Sequence, residues 1–406
     1  MKYYGDNMKS EKYHGTEKYY GFLDEVEVIA ETVFIRFDCI NIEYFKKINN
    51  SKDINNFSTV IIETQFNAND FIIKEDMDLW KYIELDDNGY EAKFYASFFE
   101  EGEPIKIKIQ DVNSSEKLSL NELISLNGIT DSSENEIIKE LNKRKEIKTI
   151  CVYNVGQGNC NALCDSRCVP ILYFDFGGGI ARNAKTYNKN MKFCFTYAPP
   201  IILSHWDFDH WASALNASKN NESYDMKWIV PRQKLGPNSL KHALNLNNKG
   251  NLLIFPNNIN KIDINLGSIL RGKGRSINDS GLNFVAKIKL DNGELTTLFP
   301  GDCDYNHIHN ISKYQFDGLV ASHHGGHIPT YKIKPKNSNI NRIVYSYGNG
   351  NTYNHPSPNA EAQYSLLNWS SQYRLNSPAG HVLLFPLPYK PVMPCGGLCD
   401  LKPVQN

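Results

Sequence analysis

Between Ser204 and His210 the chain sets two histidines and two carboxylates within six positions: His205, Asp207, Asp209 and His210. Imidazole nitrogens and carboxylate oxygens together are the ligands that zinc and manganese take. Three apolar residues, Ile201 to Leu203, run into this cluster after Pro199-Pro200. They read as a short buried strand, with the polar residues in the loop beyond its end. His205, Asp207 and Asp209 alternate, so an extended backbone points all three one way and His210 elsewhere. A loop of this kind can share its ligands between two metal ions.

Later segments repeat the design. Leu295–Phe299 reads as a strand that ends at Gly301-Asp302, and Gly318–Ala321 as one that ends at Ser322-His323-His324-Gly325. Asn354-His355-Pro356 precedes a helix capped by Ser357, with Pro358 at its first position. Upstream, Lys148–Val155 runs into Gly156-Gln157-Gly158, and Ile171–Phe176, carrying Asp175, runs into Gly177-Gly178-Gly179. Neither glycine turn fits the dinucleotide or P-loop pattern. Several strands delivering Asp and His to one rim is how a rigid scaffold builds a metal site. Lys273 and Arg275 stand in a basic loop, Gly272–Arg275, and are candidate substrate contacts against the plainer reading of a solvated loop. His242, on a helical stretch, reads as an exposed residue, and His307, His309 and His327 as peripheral.

The 406 residues are 41% hydrophobic and 22% charged, which suits two domains or one large domain with additions. No run approaches the ~18 apolar residues of a membrane span, and the polar start Met1-Lys-Tyr-Tyr lacks a signal core, so the expectation is a cytoplasmic protein. The net charge of −1 conceals a division: 30 acidic against 18 basic residues over 1–146, and 15 against 26 over 147–406. A basic half holding the ligand cluster favours anionic substrates, nucleic acid among them; the plainer reading is that the two halves attract each other. Residues 21–128 alternate in strand fashion (Val26–Ile29, Thr32–Phe37, Thr59–Thr64, Phe94–Phe99, Ile105–Ile109), with turns at Asn88-Gly and Glu101-Gly. Asp131–Lys145, with an acidic first turn and a basic last one, reads as a connecting helix. Domains are therefore expected at 1–146 (acidic, β-rich, with the connector) and 147–390, followed by a tail, 391–406. Of nine cysteines, Cys160, Cys164 and Cys168 share a four-residue step that Cys395 and Cys399 repeat, but no CxxC knuckle is present. Most read as reduced thiols rather than as a structural zinc site.

Taken in order, Val155-Gly-Gln-Gly158, Phe174-Asp175-Phe-Gly177, Ser204-His205-x-Asp207-x-Asp209-His210, Asn278-Asp-Ser280, Gly301-Asp302, Ser322-His323-His324-Gly325 and Asn354-His355-Pro356 resemble the motifs of the metallo-β-lactamase fold. The branch is that of soluble hydrolases related to the C-terminal domain of the competence protein ComEC/Rec2, and the resemblance covers about 147–388. It departs at Asn154 and Asn159, where that branch has Asp, and at Trp211-Ala212-Ser213, where it has a Gly-Gly pair. The resemblance implies an α+β fold, an αββα sandwich, behind an N-terminal β-rich accessory domain. It implies two divalent ions, zinc or manganese. Asp302 would bridge them, His205 and Asp207 would hold one, and Asp209, His210 and one of His323/His324 the other. A hydroxide activated by the metals would attack a phosphodiester of nucleic acid or a nucleotide. Asp209 and His355 are the candidate catalytic side chains; His355 would bind a phosphate oxygen or act as an acid, or else be a structural histidine. Asp175 is expected to orient the loop rather than bind metal. The alternatives are a small phosphoester or choline-ester hydrolase, and a binding module whose acidic N-terminal domain recruits a protein partner or covers the basic site.

Overall fold

The computed structural model describes residues 17–51, 57–69, 79–143, 146–216, 221–290, 293–330, 332–336, 340–369, 371–374 and 380–385. Cys395, Cys399 and the tail 391–406 lie outside them. The chain is mixed α/β with sheets dominant, and it divides into two compact units: 1–129 with 234–245, and 130–233 with 246–406.

In the first unit β1 (Lys18–Ile29), β2 (Thr32–Asn41), β3 (Thr59–Asn67), β4 (Trp80–Tyr95) and β5 (Glu103–Asp111) pair in sequence order. The register of β4 breaks between Leu85 and Tyr90, and its first half pairs with β1 while its second half pairs with β3. Strands β1 to β4 thus close on themselves around Val33, Ile35, Phe37, Ile62, Ile83 and Phe94. Two sequence expectations change here. Asn88-Gly89 lies inside β4, at the register break, and the expected strand Phe94–Phe99 ends at Tyr95. Helices α1 (Ile42–Ser51) and α2 (Ser114–Leu123) complete this stretch.

The second unit begins with α3 (Glu134–Leu141), capped by the Ser133 side chain. It was expected as a charged connector. Instead Ile137 and Leu141 are fully buried in the second unit's core, because its apolar residues recur at helical spacing on one side. Two seven-stranded sheets follow. The first contains β6 (Thr149–Val152), β7 (Cys160–Cys164), β8 (Pro170–Phe176), β9 (Ile201–Ile202), β10 (Trp228–Val230) and β11 (Leu252–Ile254). The second runs in sequence order through β12 (Lys261–Ile264), β13 (Gly267–Arg271), β14 (Leu282–Leu290), β15 (Gly293–Phe299), β16 (Gly318–Val320), β17 (Arg342–Tyr345) and β18 (Ser371–Arg374). β19 (Val382–Leu383) returns to the edge of the first sheet beside β6. In sequence α4 (Pro237–Asn248) follows β10, and its residues to Asn245 belong to the first unit.

The inner faces of the sheets meet in one core. Phe174 of β8 lies 5.5 Å, ring to ring, from Phe299 of β15 and stacks on Phe284 of β14 at 6.4 Å. The outer face of the second sheet is covered by α5 (Pro358–Leu366) through Tyr364, with Tyr305, Phe316 and Trp369 beside it. On the first sheet Phe193 and Phe195 pack over Tyr173 and Phe176. That cover is a loop with a single 3-10 turn, Ala181–Thr186. The seven described cysteines are free and buried, and none joins a candidate metal group among the described residues. His242 is buried rather than exposed, and it lies in α4, within the first unit.

Candidate metal centre

The ligand loop leaves β9 and is pinned from below by backbone bonds. The Asp209 carbonyl accepts from Asn159 N at 3.0 Å and Gly178 N at 3.1 Å. A Cβ on Gly177 would lie 1.6 Å from that same oxygen, so only glycine allows the approach. The expected alternation ends at Asp207. Phe208–His210 turn as a 3-10 segment, which swings His210 inward, so the residue expected to point elsewhere is the most central and has no exposure.

From the second sheet Asp302 arrives just past β15, where Gly301 has φ +59°. His323 and His324 follow β16 in a tight turn with φ +51° and +55°, continued by Gly325 at +82°. Two histidines in the left-handed region are costly and persist only where surrounding contacts hold them. The turn is held by Gly326 N donating to His323 O at 2.6 Å and His323 N donating to Gly301 O at 3.2 Å.

The inner atoms converge. His210 Nε2 lies 3.3 Å from Asp302 Oδ1; His324 Nε2 lies 3.1 Å from Asp209 Oδ2 and 3.5 Å from Asp302 Oδ2. His205 Nε2 is 3.2 Å from Asp207 Oδ2. Two groups could each hold a cation, His205 with His210 and Asp302, and Asp209 with His210 and His324. Of the two late histidines, His324 is the inner one; His323 is part-exposed and 4.0 Å from Asp302. No family profile, curated protein or solved structure matches this chain.

The donor set fits a divalent cation. His205 Nε2, His210 Nε2, His324 Nε2, Asp207 Oδ1 and Asp302 Oδ1 are all buried with no hydrogen-bond partner. Buried polar atoms are ordinarily satisfied, and the orphaned nitrogens of His205, His210 and His324 and the Asp302 oxygen belong to the two groups that could hold a cation, whereas Asp207 joins neither group. The outer nitrogens are tied in the manner of metal-binding histidines. His210 Nδ1 lies 2.9 Å from Asp175 Oδ2, His205 Nδ1 2.9 Å from Ser204 Oγ, and His324 Nδ1 2.8 Å from the Ser346 carbonyl. Asp175 also accepts from Ser204 N, Ser204 Oγ and Asn159 Nδ2. It has φ +61°, and that local twist aims its carboxylate at Ser204 and His210. Asp175 thus orients the loop. Ser204, whose hydroxyl touches Asp175 and both loop histidines, carries no signal in sequence that would single it out.

Without a cation the charges must neutralise one another. Burial alone would disfavour charge on every member. For His210 the carboxylates of Asp302, Asp175 and Asp209 outweigh burial and hold it well above the ordinary imidazole value. For His324 burial is likewise overcome, by Asp302 and Asp209, which raise it to about 10. Asp209 and Asp302 are held below the usual carboxylate range by His210 and His324, again against burial.

His355 is buried beside the cluster, stacked on His324 with centroids 6.3 Å apart. Lys273 and Arg275 stand outside it. Both are exposed, on the loop that closes at Gly281 against the Ser204 carbonyl. His307 and His309 lie against that loop, the His307 carbonyl accepting from Lys273 N at 2.8 Å and His307 Nε2 lying 4.0 Å from Asp279, and His327 is exposed.

Proposed function

We propose that this chain is a metal-dependent hydrolase of metallo-β-lactamase type that cleaves phosphodiester bonds of nucleic acid or nucleotides. The observation that carries the reading is the buried set of orphaned His and Asp atoms, delivered by loops from two packed sheets to two candidate groups that share His210. His205 and Asp207 would hold one divalent ion, Asp209, His210 and His324 a second. Asp302 would serve both, since one of its oxygens lies toward His210 and the other toward His324. Bound there, zinc or manganese would supply a nucleophile at neutral pH by acidifying water, and positive charge for an anionic substrate. The chain's own residues do the rest. Asp175 and Ser204 fix the orientation of His205 and His210, and the Ser346 carbonyl fixes His324. Asp209, buried and anionic, faces both His324 and His210 and keeps that side able to carry a cation. The basic excess over 147–406 favours a phosphoester over a neutral ester.

The test is metal analysis of the purified full chain, joined to turnover of bis-p-nitrophenyl phosphate, single- and double-stranded DNA and RNA with manganese or zinc. Bound metal with turnover that Asp302→Ala abolishes supports the reading. Bound metal with no turnover on any of these substrates overturns it.

A further inference from the structure

The loop that carries Lys273 is braced against the turn that follows Asp302. Gly272 bridges Ile308 in antiparallel fashion, Lys273 N donates to the His307 carbonyl at 2.8 Å, and His309 N donates to the Arg271 carbonyl at 3.2 Å. Ile308 is buried, so the period of two in this short ribbon turns Lys273, His307 and His309 to the opposite, outer side. Further bonds hold the ribbon from behind. Gly272 N donates to the Gly281 carbonyl at 2.8 Å, Gly274 N to the Asp279 carbonyl at 2.9 Å, and Asp304 N to Asp279 Oδ1 at 2.8 Å. Leu282 N, next along, donates to the Ser204 carbonyl at 2.6 Å. The ribbon is thereby fixed to the ligand loop on one side and to the segment that brings Asp302 on the other.

Cations from three segments act on His309. Lys273 comes from the loop, Lys261 from β12 and Lys313 from the 3-10 turn Ile311–Lys313, and all three are exposed. Burial, and then Lys273, Lys313 and Lys261, push the His309 imidazole below its ordinary value. Two carboxylates stand nearby. Asp263 lies 3.0 Å from Lys261, and Asp279 lies 4.0 Å from His307. Lys273 and Lys313 have no carboxylate partner among the described residues. Like charges gathered on a braced surface without matching carboxylates repel one another, and a polyanion laid across them relieves that repulsion.

We propose that this ribbon, with Lys273 and Lys313, binds the phosphates of a nucleic-acid strand to one side of the bond that is cut, so that the substrate is a polynucleotide and not a free nucleotide. The inference rests on the hydrolase reading above. His307 is five residues from Asp302, a separation of at most ~18 Å, which about five phosphates of one strand cover at ~3.4 Å each. A nucleoside monophosphate held at the centre has no second phosphate to offer the lysines.

The test is a binding titration of the metal-free full chain with labelled oligothymidylates of increasing length, against thymidine monophosphate, repeated across salt concentrations. Affinity should grow with length and fall with salt. Lys273→Ala and Lys313→Ala should each take about 0.7 off the slope of log K against log salt and weaken binding about fivefold at ~0.1 M salt. Lys289→Ala, at the far end of β14 from Leu282, should change neither. Thymidine monophosphate bound as tightly as the oligomers, an affinity indifferent to salt, or lysine variants no weaker than Lys289→Ala would each overturn the proposal. Turnover separates this from the hydrolase reading. A chain that cleaves bis-p-nitrophenyl phosphate but binds oligomers without these lysines keeps the activity and loses the ribbon. A chain inactive on every phosphodiester loses the activity, while the titrations still decide the ribbon.

Discussion

Loading the centre with a cation must expel protons, because neighbouring carboxylates raise two of the ligand histidines. In the metal-free protein His324 is raised to about 10, and His210 lies well above the ordinary 6.5. Both are imidazolium at pH 7, and neither can ligate until its Nε2 proton leaves. For His324 that removal costs about 4 kcal/mol at pH 7, three pH units at about 1.4 kcal/mol each. Affinity for zinc or manganese should therefore rise about tenfold per pH unit for each proton displaced. Calorimetric titration of the metal-free chain at pH 7, in two buffers of different ionisation enthalpy, should return a release of at least two protons per chain, those of His210 and His324 with any that bound water gives up. The same charges set the stability of the metal-free fold. The raised histidines stabilise it fully below about 6.5, and that contribution fades as pH climbs toward 10. The depressed Asp209 and Asp302 stabilise it above about 3.8 and lose this as pH falls through their folded values. The cluster thus favours the metal-free fold most between about 4 and 6.5, and saturating metal should move that optimum upward. A heat of binding that does not change with buffer would refute the reasoning.

Asp302→Ala should leave the chain folded but reduce bound metal and abolish turnover, read by metal analysis beside circular dichroism. Asp175→Ala strands His210 Nδ1, Ser204 N and Asn159 Nδ2 in the interior; it should cost about 3 kcal/mol in denaturant unfolding and weaken metal binding 10- to 100-fold. Gly177→Ala forces a methyl to 1.6 Å from the Asp209 carbonyl, so it should displace the ligand loop and lose metal even where soluble protein is obtained. Phe174→Ala, between the two sheets, should lower unfolding free energy by about 3–5 kcal/mol.

The sequence by itself carried the ligand types and their places at strand ends. His205, Asp207, Asp209, His210, Asp302 and His324 could be named because apolar runs stop abruptly at polar residues, and that pattern is local. It also carried most strands of the first unit, whose alternation is local too. Other features were decided only in three dimensions. Alternation argued that His210 points away, and a 3-10 turn reversed it, because the Asp209 carbonyl is pulled down onto the Asn159 and Gly178 N–H groups from distant turns. Neither His323 nor His324 could be chosen by spacing; the left-handed turn buries one and leaves the other at the rim. Residues 234–245 lie in the middle of the second unit's sequence yet cluster with the first, and no composition shift marks them. The aim of the three inner imidazoles depends on Ser204, Asp175 and Ser346, up to 35 positions away from the rings they serve. A side chain's chemical type is written in the chain, but its protonation and aim are set by whatever the fold brings within 3 Å of it.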